Sequence, residues 1–260
     1  MLPWLASSTC QWDWESYESP APQGPQNSDL TLTFREECEG NAPDPRWWNT
    51  SFIAPDRTTA FRRYDWSGSA VADRNVSFQG GVCSLRIANE PTDGAKFGSA
   101  TLDSTNKFEQ KYGYFEVRAK VVRGKGLATT VSLADATRWP PQVNFVDVVG
   151  GDPKTNKFGG WFVPAGANDT TYAGNSVSTV DLAADFHTFG IDWTPTNVVF
   201  YLDGAAKGAV PQLASALTMP MRLQITPHAA IASGEQPDDT TVFPAVLQID
   251  WIRVYQHRGL

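Results

Sequence analysis

Hydrophobic and polar residues alternate with a period of two along much of the chain, which is the pattern of half-buried β-strands. The clearest example covers residues 112–121, and turn residues such as Asp203-Gly204 separate successive segments. Helical periodicity is weak, and its best segment is 210–216. Short strands without long helices indicate an all-β sandwich. The predicted strands are 30–34, 82–87, 112–121, 186–193, 197–202, 221–225 and 246–255.

The length of 260 residues, 41% of them hydrophobic, suits one large β domain. Residues 1–28 are rich in Ser, Pro and Gln and have no clear period, so we predict an N-terminal arm or linker there. The domain itself is predicted to span 29–260. No apolar run approaches the roughly 20 residues that cross a bilayer, so membrane insertion is not expected.

Charge and aromatic content narrow the classes of partner. The net charge is -7, with 21 Lys and Arg against 28 Asp and Glu, and this balance argues against nucleic acid because phosphates require a basic surface. The chain has ten Trp, whose flat faces can either fill the core or stack on sugar rings. Composition alone leaves both roles open.

Three cysteines cannot all form pairs within one chain. Cys83 alternates with Leu85 and Ile87 on one strand face, so we predict that it is a buried free thiol. Cys10 and Cys38 then remain, either as a disulfide that ties the arm to the domain or as two further free thiols.

Polar residues interrupt one apolar segment at three positions, namely Gln142, Asn144 and Asp147. A regular strand would place Gln142 and Asn144 on one face and Asp147 on the other. One bulged residue between 144 and 147 would bring all three side chains to the same face. We therefore predict that the three line the floor of a groove.

This segment resembles the signature of glycoside hydrolase family 16. Trp139-Pro140-Pro141 precedes it and Gly150-Gly151-Asp152-Pro153 follows it, as in bacterial members whose signature is Glu-x-Asp-x-x-Glu. In that family the first Glu is the nucleophile, the Asp tunes it, and the last Glu is the acid/base of a retaining mechanism. The resemblance covers roughly residues 29–256 through further matching segments, which are 34–37, 48–49, 108–120, 186–193, 201–204 and 249–255.

The resemblance implies a concanavalin A-like jelly roll of two curved antiparallel sheets, with a carbohydrate cleft across the concave one. It does not carry over the catalytic carboxylates. Gln142 stands at the nucleophile position and Asn144 at the helper position, and an amide cannot ionise to attack an anomeric carbon. Asp147 keeps a carboxyl but is one methylene short, and a misplacement of about 1 Å can cost about a hundredfold in rate. Segments 129–133, 161–163 and 225–234 also differ from the family pattern.

Three functions are compatible with these residues. The first is a non-catalytic domain that binds a β-glucan or bacterial exopolysaccharide. The second is a weak or altered endo-β-glucanase, and the third is a structural or assembly domain in polysaccharide export. For binding, the candidates are Gln142, Asn144, Asp147, Trp139, Trp161 and Asp152. For catalysis, they are Asp147 as a residual acid and a relocated base at Asp152, Asp169 or His228.

The family pattern implies further expectations. No cofactor is required, although Glu37 and Asp250, with Glu36 nearby, loosely match a structural calcium site away from the cleft. His187 is expected to be structural because it begins a scaffold strand. By analogy, the protein is expected to be secreted or periplasmic, with a polysaccharide as its partner and proteins of exopolysaccharide assembly as further candidates.

Overall fold

The structure is a computed structural model, and it describes residues 21–25, 29–149, 151–162, 171–172, 176–178, 180–215, 217–230 and 234–260. Cys10 and Asp169 lie outside the described residues. No helix in the described part is long and apolar enough to cross a membrane. A 3₁₀ turn covers Asp73–Asn75, and the weak helical segment forms one short helix, α1, at Pro211–Ala214.

The described strands, in chain order, are β1 Leu30–Glu36, β2 Phe52–Ile53, β3 Ala60–Phe61, β4 Ser69–Val71, β5 Val76–Gln79, β6 Val82–Ile87, β7 Phe97–Ser99, β8 Leu102–Asp103, β9 Glu109–Gln110, β10 Gly113–Lys120, β11 Leu127–Asp135, β12 Gln142–Val149, β13 Thr155–Lys157, β14 Gly159–Phe162, β15 Thr171–Tyr172, β16 Ser176–Ser178, β17 His187–Trp193, β18 Val198–Leu202, β19 Ala205–Ala209, β20 Met221–Ala229 and β21 Ala245–His257. All seven predicted strands are confirmed, with boundaries that shift by a few residues.

Two antiparallel sheets contain most of these strands. The eight-stranded sheet has the order β19-β18-β17-β10-β21-β6-β5, and β1 also pairs with β21. The seven-stranded sheet has the order β15-β14-β12-β11-β20-β8, and β9 also pairs with β20. Some neighbouring strands are consecutive in the chain, but others, such as β10 with β21 and β11 with β20, are far apart in sequence. Each sheet therefore depends on long-range pairing as well as on local hairpins.

The hydrophobic core lies between the two sheets and takes side chains from both. Val117 and Ile191 come from the eight-stranded sheet, while Val131 and Leu223 come from the seven-stranded sheet, and all four are buried. Along each strand the alternate residues leave the core, as the period of two requires. The predicted sandwich is therefore confirmed, and the outer face of each sheet is free to carry polar groups.

The cysteine prediction was wrong, because Cys38 and Cys83 form a disulfide. Cys83 does face the core beside Leu85 and Ile87, as the alternation predicts. The strand order brings its partner, Cys38, to the same place. β1 and β6 pair with successive stretches of β21, Glu36 opposite Ile252 and Cys83 opposite Ile249, so the chain that leaves β1 reaches Cys83. Cys83 is thus not a free thiol, and Cys38 is not available to Cys10.

Residues 21–25 of the predicted arm contact the outer face of the eight-stranded sheet. The backbone N–H of Gln23 donates a 3.0 Å hydrogen bond to Glu116, and the Thr188 hydroxyl donates one of 2.9 Å to the Gln23 side chain. Burial raises the pKa of the Glu116 carboxyl, despite the hydrogen bond from Gln23 that favours its charged form. This part of the arm therefore packs against the domain.

Candidate functional site

The signature strand β12 contains the predicted bulge. Asn144 pairs with Ser132 of β11, yet the next pair along the strands is Val146 with Val131, which leaves Phe145 as the extra residue. Phe145 and Val146 therefore both face the core. The bulge reverses the alternation after Asn144, so that Asp147 returns to the face that carries Gln142 and Asn144.

The side chains on this face form a continuous chain of hydrogen bonds. The indole N–H of Trp139 donates to Gln142 Oε1 at 3.2 Å, and Gln142 Nε2 donates to Asn144 Oδ1 at 2.8 Å. Asn144 Nδ2 then donates to Asp147 Oδ2 at 3.4 Å. Asn156 supports the far end, because its side-chain oxygen accepts from the Asp147 backbone N–H at 3.0 Å. The three signature positions are thus joined in one network.

Strands β11 and β20 extend this polar face across the sheet. We call it the floor. Thr130 lies opposite Asp147 and Ser132 opposite Asn144, and both are in turn paired with polar residues of β20. All these strand partners present their side chains on the same side of the sheet. The floor residues on β20 are Arg222, Gln224, Thr226 and His228.

One buried ion pair lies at the edge of the floor. Arg222 Nη1 is 3.0 Å from Asp103 Oδ2, and Gln224 Nε2 donates to the same oxygen at 3.2 Å. The other oxygen of Asp103 accepts from both the backbone N–H and the hydroxyl of Thr105. Both carboxylate oxygens of Asp103 therefore accept hydrogen bonds, and Asp103 positions the side chains of Arg222 and Gln224.

Within the part of the chain that the structure describes, two buried polar atoms of the floor have no hydrogen-bond partner, namely Ser132 Oγ and Arg222 Nε. A buried polar atom without a partner typically costs about 1–3 kcal/mol. Ser132 lies between Asn144 and Gln224 in the strand register. The floor therefore keeps unused hydrogen-bonding capacity.

The accessible surface of the site comes from a few residues. Trp139 is 58% exposed and Trp66 is 43% exposed, whereas most floor side chains are buried. Gln142 and Thr130 are half-buried and lie on the floor itself. An amide has two N–H donors and an oxygen with two lone pairs, so Gln142 retains capacity for a ligand after its two internal hydrogen bonds. A ligand on this face would meet indole rings, an amide and a hydroxyl.

His228 lies on the floor but is buried, with its ring centroid 4.9 Å from that of Trp66. Burial lowers the pKa of this imidazole to about 4, so it is neutral near pH 7. A neutral imidazole can accept or donate one hydrogen bond through each nitrogen. By contrast, His187 begins β17 in the other sheet, where its Nδ1 lies 2.8 Å from Asp203 Oδ2.

The remaining predicted site residues occupy different places. The backbone of Trp161 in β14 pairs with Gln142, which puts its strand beside the signature strand. Asp152 is exposed in the turn after β12, and it accepts hydrogen bonds from Lys154 N at 3.0 Å and Thr155 Oγ1 at 3.4 Å within that turn. The structure therefore brings together Trp139, Gln142, Asn144 and Asp147, with Asp152 engaged in its own turn.

The residues expected to bind calcium do not fit such an ion. Both oxygens of Glu37 accept hydrogen bonds from Arg253, at 2.9 and 3.0 Å, and Asp250 forms an ion pair with Arg118. Glu36 accepts instead from the Cys38 N–H and from the Trp48 indole. Each carboxylate is already matched by a donor of its own, so the described residues do not gather a calcium ligand set.

The two packed antiparallel sheets define the fold class. It is the concanavalin A-like β-sandwich, and the catalytic domain of an endo-1,3-beta-glucanase (laminarinase) from Thermotoga petrophila superposes with a TM-score of 0.77. That match covers 89% of this chain and 99% of the other at 24% identity. The laminarinase from Rhodothermus marinus gives 0.75 over 87% of this chain and 97% of the other, at 22% identity.

Residues 62–253 match the family described as glycosyl hydrolases family 16. The chain therefore belongs to that family, as an endo-β-glucanase-like domain. A beta-glucanase from Rhodothermus marinus is 27% identical over 205 residues, which are 70% of each protein.

Two shorter matches represent different activities. An endo-1,3-1,4-beta-glycanase from Rhizobium meliloti (strain 1021) is 31% identical over 167 residues, 63% of this chain. A beta-1,3-glucan-binding protein from Penaeus monodon is 30% identical over 179 residues, 60% of this chain. The chain spans about a third of the former and half of the latter, at 34% and 49% of their lengths. The relatives thus include both hydrolases and a binding protein.

Sequence reasoning missed several residues of the site. Arg222 and Gln224 were predicted only as part of strand 221–225, and Thr226 only as part of a segment that differs from the family pattern. The alternation of all three with apolar residues was a usable signal. Trp66 gave no signal because it lies in a loop outside any strand pattern. Asp103 also escaped, since its role depends on a partner 119 residues away.

Proposed function

We propose that this domain binds a β-glucan-type polysaccharide on the floor and does not hydrolyse it. The observation that carries the proposal is the hydrogen-bonded chain from Trp139 through Gln142 and Asn144 to Asp147. It places amides at two of the three signature positions. Neutral amides suit sugar hydroxyls, because they donate and accept hydrogen bonds without the desolvation cost of a charge.

The spacing of carboxylates argues against a two-carboxylate mechanism. On the described floor, Glu109 of β9 lies opposite Arg222 and is paired with Arg57, and the other carboxylates are Asp147 and Asp103. The strand order places three strand steps between them, so their backbones are about 14 Å or more apart at about 4.8 Å per step. Retaining enzymes need about 5 Å and inverting enzymes about 6.5–9.5 Å. Asp103 is also held by Arg222.

A weak glycosidase is the second candidate, and Asp147 favours it. This carboxyl lies on the floor, at the position that corresponds to the family's acid/base. His228 is a poor partner for it, since two strand steps and two residues along the strand separate them by about 12 Å. Any hydrolysis would then depend on Asp147 as a general acid, with water attacking directly.

We further propose that the protein works outside the cytoplasm. The disulfide between Cys38 and Cys83 supports this location, because such bonds persist in oxidising compartments and are rare in the cytosol. Its partners there would be the polysaccharide itself and, in the assembly alternative, proteins of exopolysaccharide export.

The test measures binding and turnover together on a panel of β-1,3-glucans, mixed-linkage β-glucans and bacterial exopolysaccharides. Affinity comes from calorimetry, and turnover comes from the release of reducing ends. The native protein is compared with Asp147→Ala and with the triple variant Gln142→Glu, Asn144→Asp, Asp147→Glu. Asp185→Ala is the matched control, since that carboxylate is exposed in the turn before β17 of the other sheet and accepts a hydrogen bond from the Phe186 N–H.

We expect the native protein to bind at least one glycan without turnover, and any turnover that the triple variant regains would support the proposal strongly. Native turnover that disappears in Asp147→Ala would favour the weak glycosidase. Native turnover that survives Asp147→Ala would indicate a relocated catalytic site. Absence of both binding and turnover would favour a structural or assembly domain.

A further inference from the structure

Trp66 lies at the opposite end of the floor from Trp139. Its ring is 4.9 Å from that of His228, which faces Ala128 in the strand register. Trp139 contacts Gln142, which faces Ala134. Ala128 and Ala134 are six residues apart on β11, so the two contacts are about 20 Å apart along the strand direction.

The Trp66 ring is supported from behind by an aromatic cluster. It stacks on Tyr64 with an interplanar angle of 12° and a centroid distance of 5.3 Å. Tyr64 in turn packs against Phe52 and Phe61, at 4.5 and 5.0 Å. The indole therefore has one face on a packed ring and 43% of its surface exposed, which is the arrangement of a stacking platform.

The loop that carries Trp66 is also fixed to the floor strand. The Gly68 N–H donates to Ala230 O at 2.9 Å, and the Ala229 N–H donates to Ser69 Oγ at 3.2 Å. Gly68 has to be glycine, since a β-carbon at this position would collide with Ala230. Burial raises the pKa of the Tyr64 hydroxyl, while Arg222 and Gln224 of the floor act in the opposite direction. A platform held at both ends costs little entropy when a ligand binds.

We propose that Trp66 is a second glycan-stacking subsite, which a linear polysaccharide reaches only when it is long enough to pass from Trp139 across Gln142 and Thr130. This inference rests on the proposed function and adds a specificity to it. Gln142 and Thr130, the half-buried side chains on this path, are neutral donors and acceptors, which suit an uncharged chain of sugar rings, and the Asp147 carboxylate opposite Thr130 is buried. The site therefore discriminates by chain length, because a short oligosaccharide can contact only one platform.

The experiment measures affinity for a ladder of β-glucan oligosaccharides, from a disaccharide to long chains, by calorimetry. In the native protein, affinity is expected to rise with length and then level off. Trp66→Ala should remove the gain for long chains, about tenfold, and leave short chains unaffected. Trp139→Ala should weaken both. The control is Trp47→Ala, since Trp47 is also partly exposed but packs edge-on against Phe34 of β1.

A second measurement follows the native protein and needs a conservative variant only to assign one signal. The native protein is labelled with 5-fluorotryptophan, and Trp66→Phe identifies the Trp66 signal by ¹⁹F NMR. Long chains should shift this signal, whereas the disaccharide should not. Glycan binding with an unchanged Trp66 signal, or with the same length dependence in Trp66→Ala, would overturn the subsite alone. A native protein that binds no member of the ladder would overturn the proposed function, and the subsite with it.

Discussion

The two sheets of this protein bury polar groups in different ways. On the outer face of the eight-stranded sheet, charges are matched by opposite charges, such as Arg253 with Glu37 at 2.9 Å and Arg118 with Asp250. On the floor of the seven-stranded sheet, amides and hydroxyls predominate, and one ion pair, Arg222 with Asp103, lies at the edge. The same fold thus carries mainly ion pairs on one outer face and mainly neutral amides and hydroxyls on the other.

The outer face of the eight-stranded sheet has the character of a structural surface, and the floor has the character of a binding surface. An ion pair satisfies both of its members, so a ligand gains little by displacing one of them. An amide chain keeps spare donors and acceptors at each link, and Ser132 Oγ has no hydrogen-bond partner among the described residues. The eight-stranded sheet is therefore expected to determine stability, and the floor is expected to determine recognition.

The largest effect is expected from the disulfide of the eight-stranded sheet. Replacing both Cys38 and Cys83 by Ala should lower the free energy of unfolding by about 4 kcal/mol, the loop-closure value for a sequence separation of 45. Urea unfolding measures this loss. Glycan affinity of the folded variant should stay unchanged, because the bond lies in the core away from the floor.

The control for this comparison is the native protein under reducing conditions, which should lose a similar amount of stability without any substitution. A loss below about 1 kcal/mol would show that the bond contributes little. A parallel loss of glycan affinity in the folded variant would contradict the separation between the two sheets.

The next effect concerns how the free energy of unfolding falls at acidic pH. The pKa of His228 is about 4 in the folded protein against 6.5 in the unfolded chain, so the unfolded state binds the proton more tightly. Stability from this group is full above pH 6.5 and is lost as pH falls toward 4, by about 3 kcal/mol. His228→Gln should unfold with a weaker pH dependence than the native protein in this window.

Urea unfolding midpoints from pH 7 to pH 4 measure the difference between the two proteins. His187→Gln is the matched control, because His187 lies in the other sheet beside Asp203. Equal slopes for native protein and His228→Gln would mean that the imidazole is not buried as described.

A smaller effect is expected from the exposed amide of the floor. Gln142→Ala should weaken glycan binding about tenfold, since it removes a hydrogen-bonding group worth about 1.4 kcal/mol when a ligand covers it. Stability should fall by about 1 kcal/mol, because Gln142 is half-buried and its removal takes this donor away from the buried Asn144 Oδ1. Calorimetry with the glycan that binds best provides the affinity. Unchanged affinity would remove Gln142 from the binding surface.

The smallest effect is a near absence of salt dependence. Raising the salt from about 0.1 M to about 1 M shortens the screening length from about 10 Å to about 3 Å. Recognition through indoles and neutral amides should then change by less than about twofold. A steep loss of affinity would indicate an ionic ligand and would assign the recognition to Arg222 or Asp147.

Local pattern was sufficient for the strands and for the bulge in β12. Alternation in 82–87 and 221–225 reports burial directly, since one face of each strand packs in the core. The bulge followed from the positions of Gln142, Asn144 and Asp147, because a regular strand cannot place all three on one face. Such features depend on neighbours within a few residues.

Long-range pairing was beyond the sequence. The disulfide was wrongly predicted because β1 and β6 are brought together only by their shared partner β21. The placement of Trp66 on Tyr64 and His228 likewise joins a loop to a strand more than 150 residues later. Neither contact produces a periodic pattern of hydrophobic and polar residues in the sequence.

By itself, the sequence determined an all-β family 16 domain whose signature has amides where the family has carboxylates, since residue identity and strand period are local properties. Only the tertiary structure decided which cysteines pair and that Glu37 and Asp250 form ion pairs with arginines. It also decided that two exposed indoles lie at opposite ends of the floor. Those facts depend on which distant strands become neighbours. That choice is made by packing the whole core, and no single segment contains it.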